Sequence, residues 1–162
     1  MSRFRPVGLF VDFYGTLAAQ DGQTVRAICS DIAARYRLPI DGERLAELWG
    51  RKFFEAISQA NGPNFKLQLD CERDSLIATL AELGLEIEVD RYIARLQDYM
   101  RRPPLFPEAR QVLAQLPVPV CIVSNIDRAE LHAALRYHRL SPCAVVTSED
   151  ARSYKPDRRI FE

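Results

Sequence analysis

Histidine and cysteine are scarce in this chain, and neither falls into a metal-binding pattern. Two histidines, His132 and His138, and four cysteines, Cys29, Cys71, Cys121 and Cys143, are spread over 162 residues. No Cys-x-x-Cys occurs and no histidine cluster accompanies the cysteines, which argues against a zinc site. Nothing else suggests secretion, so the cytoplasm is the expected location. Net charge is also missing: 22 Lys and Arg stand against 22 Asp and Glu. No overall basic field draws the chain to nucleic acid or to an anionic membrane. No apolar run approaches the roughly 20 residues that span a bilayer. The basic start, Arg3 and Arg5, precedes an apolar stretch that is too short for a signal peptide and is broken by Asp12. Internal repeats and low-complexity segments are absent. What is present is a 48% hydrophobic composition, enough for a real core, in a length that suits one domain carrying an inserted subdomain.

The most informative segment runs Gly8-Leu9-Phe10-Val11-Asp12-Phe13-Tyr14-Gly15-Thr16-Leu17. The apolar run Val7 to Val11 reads as a buried strand. It ends in a carboxylate, at the edge where open parallel sheets hold their ligands. Gly15 permits a tight turn, and Thr16 offers a hydroxyl and an N–H. An aspartate so placed suits nucleophilic attack, although Asp12 as a simple turn cap accounts for the same residues. A second apolar run, Val118 to Val123, ends in Ser124-Asn125; Asn125 or Asp127 could equally cap a helix starting near Arg128. A third, Ala144 to Thr147, is followed by Ser153-Tyr154-Lys155-Pro156-Asp157. Lysine beside a carboxylate balances charge on a bound anion. Pro156 and Asp157 suit the first turn of a helix.

These three segments, with Ser124 112 residues after Asp12 and Lys155 another 31 on, resemble motifs I, II and III of the haloacid dehalogenase (HAD) superfamily. The resemblance spans Val7 to Glu162. It implies an α/β fold with a Rossmann-like parallel sheet core. In such a core Asp12 is the nucleophile, Ser124 bonds the group under attack, and Lys155 balances charge. Thr16 and Asn125 are then expected to hold the anionic end of a small substrate.

Two departures bear on the reaction. HAD phosphatases carry a second Asp two residues after the nucleophile to protonate the leaving alkoxide; here that place is Tyr14, a reluctant acid near neutrality. Asp-x-Tyr-Gly-Thr-Leu is the form seen in 2-haloacid dehalogenases, where halide leaves without a proton. Tyr14 is then expected to shape the pocket floor. Those enzymes, however, grip the substrate carboxylate with an arginine just after a Leu-Trp pair. This chain has Leu48-Trp49-Gly50-Arg51, so Arg51 is one place late, about 100° around a helix. Their tyrosine six residues after the lysine is Phe161 here. The resemblance thus implies an aspartyl-ester hydrolase, a 2-haloacid dehalogenase needing no cofactor slightly ahead of a phosphatase with Mg²⁺ on Asp12 and the Tyr14 carbonyl. A catalytically inactive binding protein is the third reading.

Between Asp12 and Val118 the periodicity is helical. Four helices are expected: Thr24 to Tyr36; one capped by Asp41 with Leu45, Trp49 and Ile57 on one face; one around Leu76 to Leu83, closed by Gly84; and one from Val89 to Met100. Residues 20–102 then form a helical cap between core segments 1–19 and 103–162, with Arg101 to Pro104 as a hinge. Phe65, in a loop, is a candidate pocket wall; Trp49 and Phe53 read as the cap's own core. Glu149 and Asp150 could orient Lys155 or be solvated, and the histidines read as structural or exposed. A motif IV acid is expected some tens of residues after Lys155, and Asp157 and Glu162 are too close to serve. The core is therefore expected to be truncated at its C-terminus, with an exposed edge that a homodimer could cover.

Overall fold

The computed structural model describes residues 6–162. Its sheet has three parallel strands in the order β1 (Leu9–Val11), β2 (Val120–Ser124) and β3 (Ala144–Thr147). The register sets Val11 beside Ile122 and Ser124 beside Thr147, so the carboxyl ends of all three strands open on one edge. The architecture is the Rossmann-like α/β fold that the resemblance implies. One expectation fails in part: β1 is not buried. Among the described residues it has a single neighbour, and Leu9 and Phe10 are 40% and 61% exposed.

Four helices lie between β1 and β2 in the chain: α1 (Asp21–Tyr36), α2 (Gly42–Gln59), α3 (Gln68–Glu82) and α4 (Asp90–Arg101). Asp41 caps α2 as expected, accepting the Arg44 N–H at 2.8 Å. Gly84, at φ +72°, closes α3. Gly42 lets α1 and α2 meet closely: a Cβ there would fall 2.3 Å from Ser30 Oγ and 2.5 Å from its Cα. Helix α1 starts at Asp21 rather than Thr24, and α3 starts at Gln68, a full two turns before Leu76.

Three further helices follow: α5 (Ala109–Gln115), α6 (Arg128–His138) and the single turn α7 (Ser148–Ala151). The helix expected at Pro156 is only a 3₁₀ turn, Arg158–Phe161, its first turn capped by Asp157. The main core spans both parts, beside a smaller cluster of Ile57, Ala60, Cys71 and Tyr154. Trp49, Leu76, Tyr92 and Leu96 from the helical block and Phe13, Ile122, Ile126 and Leu131 from the sheet side belong to one buried cluster. Arg101, at the expected hinge, pairs with Glu130 at 3.1 Å. No described helix is long and apolar enough to cross a membrane.

Candidate active site

Asp12 leaves the end of β1 into a tight loop. Leu17 N–H and Ala18 N–H both bond the Phe13 carbonyl at 2.8 Å, and Gly15, at φ +80°, donates to the Ala18 carbonyl at 2.9 Å. That left-handed turn is what a glycine supplies without steric cost. It aims the Asp12 side chain back over the sheet edge. There its Oδ1 accepts a hydrogen bond from Phe13 N–H at 2.8 Å and forms an ion pair with Lys155 Nζ at 2.7 Å. Among the described residues nothing bonds Oδ2. One oxygen is thus fixed and charge-balanced while the other stays open, in a pair whose side chains are 40% and 22% exposed.

Lys155 is held from three directions. Its ammonium also donates to the Val123 carbonyl at the end of β2, at 3.0 Å. Its main-chain N–H bonds Asn125 Oδ1 at 2.7 Å, and its carbonyl accepts from Asn125 Nδ2 at 3.3 Å. Asn125, expected to bind substrate, is therefore engaged elsewhere. Both ends of its amide clamp the lysine's backbone, and it acts on the site through Lys155. Ser124 lies buried at the end of β2, one residue past the carbonyl that takes the lysine. Thr16 is exposed on the loop that follows Asp12.

Tyr14 occupies the acid position of the motif but is committed in another direction. Its hydroxyl donates to the Met100 carbonyl at 2.5 Å, at the end of α4. Burial, with Tyr99, Glu130 and Asp21 adding, pushes its phenol well above the ordinary range. A phenol so raised and so bonded gives up no proton to a leaving group. The expected pocket-floor role becomes a link between the loop after Asp12 and the helical block.

Two other candidates stand apart from the ion pair. Arg51 is exposed on α2 and forms no ion pair among the described residues, while Gly50 opens onto free space. Phe65 stacks on Tyr154, ring centroids 5.6 Å apart, with Arg152 5.5 Å over its outer face. It touches the residue before Lys155 rather than Asp12. Glu149 and Asp150 do not orient the lysine. Asp150 forms a capping box with Thr147, and Glu149 accepts the Arg128 N–H at 2.8 Å. The helix α6 that starts there is consequently not capped by Asp127. The buried Asp127 carboxylate reaches instead across to α3, accepting Gln68 N–H at 2.7 Å and Leu69 N–H at 3.0 Å.

Asp12 is the acidic group at this edge, and its Oδ1 already faces an ammonium. Among the described residues no three His, Cys, Asp or Glu side chains gather as a metal cluster. A magnesium site needs several oxygen ligands in near-octahedral array.

Sequence reasoning missed Asn61. It reads only as a helix breaker, yet its Oδ1 accepts from both Ser153 Oγ and Tyr154 N–H, at 3.1 and 2.8 Å. No local signal points to a contact across 92 residues. His138, expected to be structural or exposed, is buried and lies 2.6 Å from the Pro103 carbonyl through Nε2.

Residues 8–162 match the family model described as haloacid dehalogenase-like hydrolase. Comparison with curated proteins finds no match. Among solved structures, the L-2-haloacid dehalogenase of Xanthobacter autotrophicus superposes with a TM-score of 0.71 at 27% identity, over 96% of this chain and 62% of that one. The same enzyme with chloropropionic acid covalently bound matches with a TM-score of 0.71 at 26% identity and the same coverage. YfnB of Bacillus subtilis, bound to magnesium, shares the fold, with a TM-score of 0.74 at 17% identity over 98% of this chain and 72% of its own. The chain thus spans 62% of the length of the Xanthobacter dehalogenase. With the Asp12, Ser124 and Lys155 segments at one edge of the sheet and a family match from residue 8 to residue 162, this chain belongs to the haloacid dehalogenase-like hydrolases.

Proposed function

We propose that Asp12 is the nucleophile of a hydrolase that works through an aspartyl ester, and that its substrate is a small 2-haloacid. The observation that carries this is the asymmetry of the Asp12 carboxylate: Oδ1 held by Phe13 N–H and Lys155 Nζ, Oδ2 free. Oδ2 attacks the halogen-bearing carbon. A C–O bond forms, the carbon–halogen bond breaks, and halide departs with the electron pair. Water then attacks the ester carbonyl, the 2-hydroxyacid leaves, one proton passes to solvent, and the Asp12 carboxylate is restored.

Halide is a stable anion and needs no acid, which suits a site whose Tyr14 hydroxyl is locked onto Met100. Lys155 balances charge while Asp12 is esterified and freed, and Ser124 and Thr16 supply hydroxyls for the anionic end of the substrate. In this reading residues 20–102 serve as the cap that chooses the substrate. The covalent chloropropionic acid complex of the Xanthobacter enzyme lends support by analogy.

The test is intact and peptide mass spectrometry after incubation with 2-chloropropionate, beside assays of chloride release and of phosphate release from p-nitrophenyl phosphate with and without Mg²⁺. An adduct on the peptide containing Asp12, absent in Asp12→Asn, is expected. Phosphate release dependent on Mg²⁺, or turnover surviving in Asp12→Asn, overturns the proposal.

A further inference from the structure

Lys155 meets Asp12 because its own backbone is held in place, and half of that support comes from the helical block. Four consecutive residues approach the site as a strap, and three of them bond to two positions just beyond α2. The Arg152 carbonyl accepts Gly62 N–H at 2.9 Å. Ser153 Oγ and Tyr154 N–H both donate to Asn61 Oδ1. Tyr154 is 2% exposed, and its hydroxyl donates to the Lys66 carbonyl at 2.9 Å. Only then comes Lys155, with Asn125 on its far side.

Asn61 is itself anchored. Its Nδ2 lies 3.3 Å from the Ile57 carbonyl and 3.2 Å from the Ser58 carbonyl. These are carbonyls of the last turn of α2, where intrahelical partners run out; that of Ile57 also accepts the Ala60 N–H at 3.2 Å. One amide therefore fastens the end of α2 with its nitrogen and the strap with its oxygen. The same residues wall a cleft of about 350 Å³ in which Phe54 and Ile57 of α2 face Tyr154, Lys155 and Pro156.

We propose that Asn61 is the positioning residue through which the helical block sets Lys155 against Asp12. A partly exposed ion pair is weak on its own, since solvent screens it and two side chains must be ordered to form it. Its geometry is inherited from the backbone that carries the lysine. Asn125 fixes that backbone from the sheet side and Asn61 from the helical side. Loss of the Asn61 oxygen frees one buried hydroxyl and one main-chain N–H, and the strap relaxes to find other partners. The catalytic consequence rests on the proposed reading of Asp12 and Lys155; the geometric claim does not.

The chain has three lysines, Lys52, Lys66 and Lys155, so the claim can be read without turnover. Acetylation of each amine by limiting acetic anhydride is followed by peptide mass spectrometry in the 162-residue chain, with Lys52 as internal standard. In Asn61→Ala the relative rate at Lys155 is expected to rise about tenfold, the equivalent of one lost buried hydrogen bond. Asn61→Asp keeps the accepting oxygen but loses the nitrogen that fastens α2, so a rise of about threefold, between wild type and Asn61→Ala, is expected. Ser153→Ala removes one of the two bonds and leaves the core untouched, so a rise of about threefold is expected there; it serves as the test should Asn61→Ala fail to fold. Unchanged Lys155 reactivity in a folded Asn61→Ala or in Ser153→Ala overturns the proposal. Should wild type release chloride, Asn61→Ala is expected to lower kcat with little change in KM. Absence of any turnover in wild type bears on the reaction alone and leaves the acetylation result standing.

Discussion

The helical block meets the sheet side at two junctions that use different chemistry. At the first, near the strap, an amide, a carboxylate and one phenol do the joining: Asn61 to Ser153 and Tyr154, Asp127 to the first N–H groups of α3, and Tyr154 to the Lys66 carbonyl. At the second, around the two connecting segments, phenols do it. Tyr14 reaches out to the Met100 carbonyl, and Tyr99 of α4 reaches back to the Ala19 carbonyl at 2.8 Å. The segments also pair with each other, Ala19 N–H to Pro104 carbonyl at 2.8 Å and Phe106 N–H to Leu17 carbonyl at 2.9 Å. Burial moves both sets of acids upward with opposite results. The two phenols go further from neutrality and stay uncharged. Asp127 is pushed up to about 6, and Glu72 on the adjoining turn of α3 to about 8, in both cases chiefly by burial. The carboxyl groups of the first junction therefore respond to pH near neutrality, and the phenols of the second do not. A contact between buried groups is as durable as its protonation state.

Truncation separates the junctions most sharply. Tyr154 is 2% exposed, packs with Ile57, Ala60 and Cys71, and carries its own hydrogen bond. Tyr154→Ala is expected to cost about 3–5 kcal/mol, as for other large core truncations. Tyr14→Phe keeps the ring and loses one hydrogen bond, so about 1 kcal/mol is expected. Urea unfolding of both variants measures the difference; equal losses would erase the distinction between a packed junction and a bonded one.

Acid and base discriminate next. For Asp127 the folded pKa lies above the ordinary value of 3.8, so the folded state holds its proton longer than the unfolded state. Its contribution to stability is full below pH 3.8 and is lost as pH rises through about 6. Asp127→Asn removes that loss, so the variant gains on wild type by on the order of 2–3 kcal/mol between pH 4 and pH 7. Glu72→Gln behaves likewise, with its gain extending to about pH 8. Tyr14→Phe is expected to show a constant difference from wild type from pH 4 to pH 9. A pH-dependent difference for Tyr14→Phe, or a flat one for Asp127→Asn, reverses the assignment.

The same contrast explains what the sequence reveals. The three strand ends are legible because local chemistry marks them: an apolar run, then a carboxylate, a hydroxyl or a lysine. The structure joins the first and last at 2.7 Å. Helix α2 is legible because Asp41 caps its own helix. The start of α3 is not, because its cap is Asp127, 59 residues away, while the helix that Asp127 adjoins takes its capping carboxylate from Glu149. Asn125 and Asn61 share this property. Each looks like a local turn residue, and each spends its amide on a distant backbone. Tyr14 is legible as a missing acid but not as a fastening to Met100, since nothing in the motif indicates which carbonyl a buried phenol finds.

The smallest expected effect concerns α6, the element common to both junctions. Asp127 precedes it, and Glu130, on its first turn, accepts from Gln97 and Arg101 of α4. The helix ends at Arg139, exposed and left-handed at φ +54°, whose N–H bonds the Arg136 carbonyl at 3.1 Å while Leu140 N–H bonds the Leu135 carbonyl at 2.9 Å. That closure usually falls to glycine, and a side chain there costs roughly 1–2 kcal/mol. Glycine gives back part of the advantage through the greater freedom of the unfolded chain, about 0.5–1 kcal/mol. Arg139→Gly is therefore expected to stabilise the protein by about 0.5–1 kcal/mol and to raise Tm by about 1–4 °C. Arg139→Ala, which keeps the Cβ, brings no gain. Because the substitution touches neither junction, its effect is expected to be the same at pH 5 and pH 8, and to add to that of Asp127→Asn in the double variant. Departure from additivity would mean that the end of α6 is coupled to its beginning, and that the two junctions are two faces of one unit.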